Sequence, residues 1–320
     1  MTFNPMYLFY ILVFPGFLFT SFAGLLLAGI DRKVLAHMQK RIGPPITQPF
    51  YDFMKLMGKE TIVPDAAPKA VFLGAPVIGL ISLFVTALLI PFAGLTPFYG
   101  IADIIVLIYL LTIPAVAIII GGAASGSPFS GVGISREMVT IVSYELPLIL
   151  VLLTVGKKAG MALTGGMTFS LIDISAYQAQ NGMMITHWAM IPAAIAFLLI
   201  IPGEVGTQPF DVAEAETEIC EGTMAEYSGA PLALFELSHS IKMFIMTALF
   251  TALFLQGWTT GIVALDAVID LAICILLTII TMTLPHASAA RLKVEWLFRF
   301  YWQIVAGLAL ISLILVWLGL

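Results

Sequence analysis

Eight stretches of this chain are apolar over the length a helix needs to cross a bilayer: residues 6–30, 71–91, 101–121, 138–155, 185–201, 232–255, 262–284 and 297–320. The hydrocarbon core asks for about 20 such residues, with a range of roughly 17–25. In lipid every backbone amide must be satisfied by the protein itself, which leaves only helices or a closed barrel. Spans of this length and continuity select helices. The expected fold is therefore an all-α polytopic membrane protein with about eight transmembrane helices, forming a single integral membrane domain over residues 1–320. With 60% hydrophobic and only 10% charged residues, a soluble domain is excluded. The stretch 185–201 is the shortest and contains Pro192. Pro76, Pro114 and Pro147 lie inside spans and predict kinks whose freed carbonyls find partners on neighbouring helices. The first span lacks a basic leader and ends in Asp31-Arg32-Lys33, the pattern of a retained helix rather than a cleaved signal.

Charge in the connections sets the expected orientation. The first connection holds Arg32, Lys33, Lys40, Arg41, Lys55, Lys59 and Lys69; the third carries Arg136, and the one after the seventh span carries Arg291 and Lys293. The opposite side holds Lys157 and Lys158. The positive-inside rule then makes the loops 31–70, 122–137, 203–231 and 285–296 cytoplasmic in a multi-pass protein of the cell membrane, with both termini external. Within the first loop, Phe50, Phe53, Met54 and Met57 recur at helical spacing after Pro49, opposite Asp52 and Lys55. That is an amphipathic helix over 49–59, lying at the interface or packed on a partner. A short surface helix is expected within 168–176.

The segment 203–229 carries seven carboxylates, Glu204, Asp211, Glu214, Glu216, Glu218, Glu221 and Glu226, and no Lys or Arg. Like charges crowded against lipid repel, and nothing local offsets that cost. Closely spaced carboxylates in low dielectric cannot all ionise, so some hold protons near neutral pH. A solvated docking surface for a basic partner is the alternative. Glu145 sits mid-span, where a carboxylate costs about 2.5–3.5 kcal/mol on insertion scales and is a functional candidate by default. Glu236, His239 and Lys242 fall at i, i+3, i+6 of the sixth span and read as one polar stripe. Glu236-x-x-His239 matches half of a di-iron carboxylate motif, but no second such pair occurs. The two cysteines, Cys220 and Cys274, are too few and too far apart for a cysteine-ligated cluster. No redox cofactor and no metal is expected in this chain.

Three segments together, DRKVLAHMQKRIGPP…QPFYDFMKLMGKE (31–60), SREMVTIVSYELPL (135–148) and PFDVAEAETEICEGTMAEYSG (209–229), resemble the eight-helix membrane subunit shared by respiratory complex I and energy-converting, ferredoxin-linked NiFe hydrogenases. The likeness spans nearly the whole chain. It implies a subunit that docks a hydrophilic redox arm, made of a NiFe-hydrogenase-like large subunit and an iron–sulfur small subunit, onto antiporter-like membrane subunits. It also implies that Glu204, Asp211, Glu214 and Glu218 begin a proton path; the residues themselves extend it by Glu145 and a relay of Glu236, His239 and Lys242, a structural buried pair being the alternative for that stripe, with Glu226 a further member of the acidic set. The redox arm would dock on Arg32, Lys33, Lys40, Arg41, Asp52 and Lys55, with anchoring of Arg32, Lys33, Lys40 and Arg41 at anionic lipid headgroups the equal alternative, and the iron–sulfur clusters and NiFe centre would sit in the partners. Departures choose a branch. Only Pro45, Ile46 and Thr47 separate Gly43-Pro44 from Gln48-Pro49, where quinone-using members resemble one another in a longer insert. Thr207 replaces an Arg, and His239 stands where those members carry a Glu. The shortened form is similar to that of membrane-bound hydrogenases; a sister complex reducing sulfur compounds would look much the same.

Overall fold

The computed structural model describes residues 5–95, 102–163, 165–257 and 260–319, with no side-chain description for 5–7, 216 and 217. Ile101 and Leu320, at the edges of two expected spans, lie outside the described residues. The chain folds as helices α1 (Pro5–Leu12), α2 (Phe17–Met38), α3 (Gln48–Met57), α4 (Lys69–Leu89), α5 (Ile104–Ser125), α6 (Pro128–Leu163), α7 (Leu171–Asn181), α8 (Ile191–Val205), α9 (Glu216–Ile219), α10 (Gly229–Phe250), α11 (Val263–Thr278), α12 (Leu284–Ser288), α13 (Val294–Arg299) and α14 (Ala306–Trp317). π-turns continue α10 through Leu255, join α11 to α12 and join α13 to α14. Among the described residues, eight helical runs are long and apolar enough to cross a membrane, as the hydropathy pattern predicts.

Their ends differ from that pattern, because a helix does not stop where its charges begin. α2 runs to Met38 and takes Arg32 and Lys33 out of the supposed loop. α6 starts at Pro128 and ends at Leu163, 36 residues, so most of the expected 122–137 loop is helical. At 1.5 Å per residue that helix is about 54 Å long, well beyond a hydrocarbon core of about 30 Å. It carries Arg136 and Glu137 towards one end and Lys157 and Lys158 towards the other. α8 extends to Val205 and includes Glu204, while Pro192 falls in its first turn, where a missing amide costs nothing. Pro76, Pro114 and Pro147 sit inside α4, α5 and α6 as expected.

The centre of the bundle is the run Gly229–Leu255, whose apolar window is 94% buried. It packs on α2, α4, α8 and α11, and α3 lies across its flank. The α2 contact is backbone to backbone: a Cβ added at Gly24 would stand 2.7 Å from the Ser240 carbonyl oxygen, the close approach that small residues permit in membrane bundles. α3 turns Phe50 and Phe53 inward, with Phe50 5.6 Å from the Phe22 ring. Tyr51, Met54 and Met57 are exposed. α7 buries Leu171, Ile174 and Tyr177, so it packs on the bundle instead of lying free on its surface. Its Gln178 Nε2 donates to the Ala252 and Leu253 carbonyls (2.8 and 3.1 Å), in the π-turn where the regular ladder is broken.

Candidate functional site

The acidic segment between α8 and α10 is not a free loop. It folds onto one end of the bundle through aromatic and backbone anchors. Phe210 packs on Phe300 and Tyr301 with ring centres at 5.7 and 5.3 Å. Tyr227 stacks on Phe72 at 4.0 Å and donates its hydroxyl to the Phe72 carbonyl at 3.1 Å. The Leu292 amide donates to the Pro209 carbonyl, and the Ile62 amide to Ser228 Oγ, both at 3.0 Å. Gly203 is needed where α8 meets Tyr301, since a Cβ there would lie 2.0 Å from the phenol oxygen.

Cations for this segment come from elsewhere in the chain. Arg291 holds Asp211 in a two-pronged pair, with Nε to Oδ1 at 3.0 Å and Nη2 to Oδ2 at 2.6 Å. Arg136 reaches Glu218 at 2.6 Å and the Val212 carbonyl at 3.3 Å. Lys242 on α10 pairs with Glu204 on α8 at 3.0 Å, with side chains only 10% and 3% exposed. Local sequence is blind to these pairs, because the partners are 80 and 82 residues away for Asp211 and Glu218.

What remains is a cavity of about 50 Å³ beneath the segment, lined by Glu137, Glu204, Asp211, Glu214, His239 and Lys242 together with Thr140 and Ser238. One water needs about 10–15 Å³ by this kind of measure, so there is room for a few. Four carboxylates share this space. Glu204 and Asp211 have their cations; Glu137 and Glu214 have no hydrogen bond or ion pair among the described residues. Burial, then the fields of Glu137, Glu236 and Asp211, push the Glu214 carboxyl up to about 8, against the opposing pull of Lys242. At neutral pH Glu214 is therefore a protonated acid beside a water-sized space, able to give up a proton when a positive charge arrives or a negative one leaves.

The remaining expected residues are distributed differently. Glu145 is half-buried on α6 two turns beyond Glu137, outside the cavity lining, with Glu204 its charged neighbour. Glu218 is 54% exposed and committed to Arg136, and Glu226 and Glu221 are exposed; the Glu216 side chain lies outside the described residues. The i, i+3, i+6 stripe divides. Successive members are turned by 60°, so Glu236 and Lys242 stand about 120° apart. His239 and Lys242 face the Glu214 cavity, whereas Glu236 lines a second cavity of about 280 Å³ with Arg32, Asp52, Lys55 and Lys59. Within the basic set, Arg32 is paired with Asp52 at 3.0 Å and Lys33 donates to the Ile42 carbonyl at 2.8 Å. Lys40, Arg41 and Lys55 are exposed. Glu137 is the cavity residue that sequence reasoning misses, although it stands eight residues before Glu145 on one long helix; that spacing is the signal that could have found it. No group of three or more metal-ligating side chains occurs among the described residues.

Comparisons with known proteins bear on this site as a whole. Residues 10–317 match the family described as NADH dehydrogenase. A subunit of NADH-quinone oxidoreductase from Rubrobacter xylanophilus is 34% identical over 297 residues, covering 88% of this chain and 87% of the relative. Hydrogenase-4 component C of Escherichia coli is 38% identical over 232 residues, covering 72% and 70%. Among solved structures, a chain of the membrane-bound sulfane sulfur reductase, described as an archaeal respiratory membrane complex, superposes with a TM-score of 0.82 at 27% identity, over 93% of this chain and 95% of that one.

Proposed function

The chain belongs to the NADH dehydrogenase family as a membrane subunit of a complex I-like or hydrogenase-like respiratory assembly, and from that premise we propose that it couples a ferredoxin-linked, membrane-bound NiFe hydrogenase to ion transport. Its role is to seat the hydrophilic arm on the face formed by Lys40, Arg41, Lys55 and the acidic segment, and to pass protons towards antiporter-like membrane partners. Glu214 carries this reading: a carboxyl with no ion pair among the described residues, lining a polar cavity, in a segment whose neighbouring carboxylates Asp211 and Glu218 are tied to Arg291 and Arg136. Electrons arriving at a cluster in the docked arm change the field at the segment. Glu214, Glu137 and the Glu204–Lys242 pair then redistribute a proton, with Glu145 next along α6. Moving one charge across the membrane costs about 2.3 kcal/mol per 100 mV, which each redox step must supply.

The three-residue spacer before Gln48 supports the hydrogenase branch over a quinone-reducing one, as does the likeness to hydrogenase-4 component C. A second reading, the same coupling role in a complex that reduces sulfur compounds, is supported by the TM-score of 0.82 with the sulfane sulfur reductase chain. Purification of the intact assembly separates them. A co-purifying large subunit with complete NiFe-ligating cysteines supports the first; the same subunit without them supports the second, and tight binding of quinone-site inhibitors overturns both. If Asp211→Asn and Glu218→Gln variants assemble and pump unchanged, the segment is a structural anchor and the proton role fails.

A further inference from the structure

The second cavity, of about 280 Å³, lies between α2, α3 and α10 and has no part in the proton role proposed above. Contacts among the three helices fix its walls. Arg32 on α2 pairs with Asp52 Oδ2 on α3 at 3.0 Å, and Gln48 Nε2 donates to Asp52 Oδ1 at 2.8 Å, so both Asp52 oxygens are spent. Past the end of α3 the chain crosses the start of α10, where a Cβ on Gly229 would stand 2.9 Å from the Lys59 carbonyl oxygen. The Lys55 and Lys59 side chains on one wall and Glu236 on the α10 wall have no hydrogen bond or ion pair among the described residues. Leu25, Phe53, Leu56 and Leu237 line the same space. Its volume comes close to the lower end of small-molecule pockets, about 300 Å³. An apolar path leads into it along α2. Leu18, Leu25 and Arg32 recur at seven-residue steps, each turned by about 20° from the last, so they share one face. Leu18 is exposed, Leu25 is a wall of the cavity and Arg32 is its cation. Phe22, also exposed, packs on Phe50 of α3 beside this face. Leu18 and Arg32 are 14 residues apart on α2, about 21 Å, apolar at the end that enters lipid and charged at the other. A phospholipid carries its groups in that order.

We propose that this cavity holds the headgroup of a phospholipid, with its phosphate among Arg32, Lys55 and Lys59, a primary ammonium on Glu236, and one acyl chain along the Leu18–Leu25 face. A phosphate answers two lysines without partners and a guanidinium already oriented by Asp52. An anion alone would sit against Glu236 with nothing to offset the repulsion. A headgroup carrying both signs satisfies both walls. An aminoethyl phosphate ester, as in phosphatidylethanolamine, has that pair of charges, whereas phosphatidylglycerol brings the phosphate alone. The binding is independent of the coupling role, and Lys59 and Glu236 lie outside the face assigned to the docked arm.

The test uses the intact complex in lipid nanodiscs, with phosphatidylethanolamine that bears a diazirine on its acyl chain and mass spectrometry to map the photolabelled peptides. Label should fall on the peptides that hold Leu25, Phe53 and Leu237. Unlabelled phosphatidylethanolamine should compete there about tenfold better than phosphatidylglycerol, the difference one charge-assisted contact makes. Glu236→Gln should erase that preference, because it removes both the partner of the ammonium and the repulsion of a bare anion. Lys59→Gln should lower labelling with the preference kept, and Lys59→Arg should restore it. Absence of label from these peptides, equal competition by the two lipids in the wild type, or a preference that survives Glu236→Gln would each overturn the proposal. Full competition by free phosphoethanolamine would make this a site for a soluble phosphate ester, and competition by a quinone would make it a quinone site; both results overturn the lipid assignment. Should Glu236→Gln fail to assemble, the wild-type competition still decides.

Discussion

Among the described residues, Lys242 is the one lysine or arginine lining the Glu214 cavity, beside Glu137, Glu204, Asp211, Glu214 and His239, and this makes the cost of losing it unequal to that of losing its partner. The Glu204–Lys242 pair is 3.0 Å long and at most 10% exposed. Removing one member of such a pair costs about 3–5 kcal/mol, most of it from the stranded charge. Lys242→Met strands Glu204 beside Glu137, Asp211 and Glu214, and should cost that full amount. Glu204→Gln strands the ammonium, but Glu214 and Glu137 line the same cavity and can ionise in its place, so the cost should stay below about 3 kcal/mol. The double variant Glu204→Gln/Lys242→Met removes both charges and should recover at least about 2 kcal/mol relative to Lys242→Met alone. Reversible denaturant titration of the four forms in detergent gives the cycle. Equal single costs that simply add in the double variant would refute the claim that the two charges answer one another in a shared cavity.

Three further outcomes follow from the same geometry. Glu214 titrates at about 8 in the folded protein and near 4.3 unfolded. The folded state thus binds the extra proton between those values, and stability falls as pH rises through that window and is flat above it; Glu214→Gln should remove the slope in pH-dependent melting. The Arg291–Asp211 pair is partly buried, at 22% and 16% exposure, and Arg291→Met should loosen the acidic segment enough to speed limited proteolysis near residue 215, whereas Arg136→Met, whose Glu218 partner is 54% exposed, should matter less. Gly203→Ala would drive a methyl into Tyr301 and should lower stability by about 1–3 kcal/mol, with partial recovery in Gly203→Ala/Tyr301→Phe, read by thermal denaturation.

The spans are legible in the sequence because a bilayer imposes one length and one chemistry, so apolar run length alone counts them. Their ends are not. Arg32, Lys33, Arg136, Lys157 and Lys158 continue helices past the point where hydropathy fails, because backbone hydrogen bonds and packing on neighbours outlast the apolar pattern. Composition marks the acidic segment as unusual, but not which of its carboxylates stays unpaired. That choice is made by Arg136, Arg291 and Lys242, brought in by tertiary contacts that leave no local trace. Glu214 keeps its proton because burial disfavours its charge and Glu137, Glu236 and Asp211 add to that, while the arginines nearest the segment are paired with Asp211 and Glu218. The stripe on α10 misleads for a geometric reason: three-residue steps drift round a helix of 3.6 residues per turn, and Glu236 ends in a different cavity from Lys242.

Glu214 must hold a proton at neutral pH and release it when electrons enter the docked arm; without that, the coupling role has no carrier. Redox-triggered infrared difference spectroscopy of the intact complex reads this from the C=O band of a protonated carboxyl. The expected result is a band that disappears on reduction in the wild type, is missing in Glu214→Gln and shifts in Glu214→Asp. A spectrum in which Glu214→Gln changes nothing, or in which no carboxyl is protonated at pH 7, would contradict it.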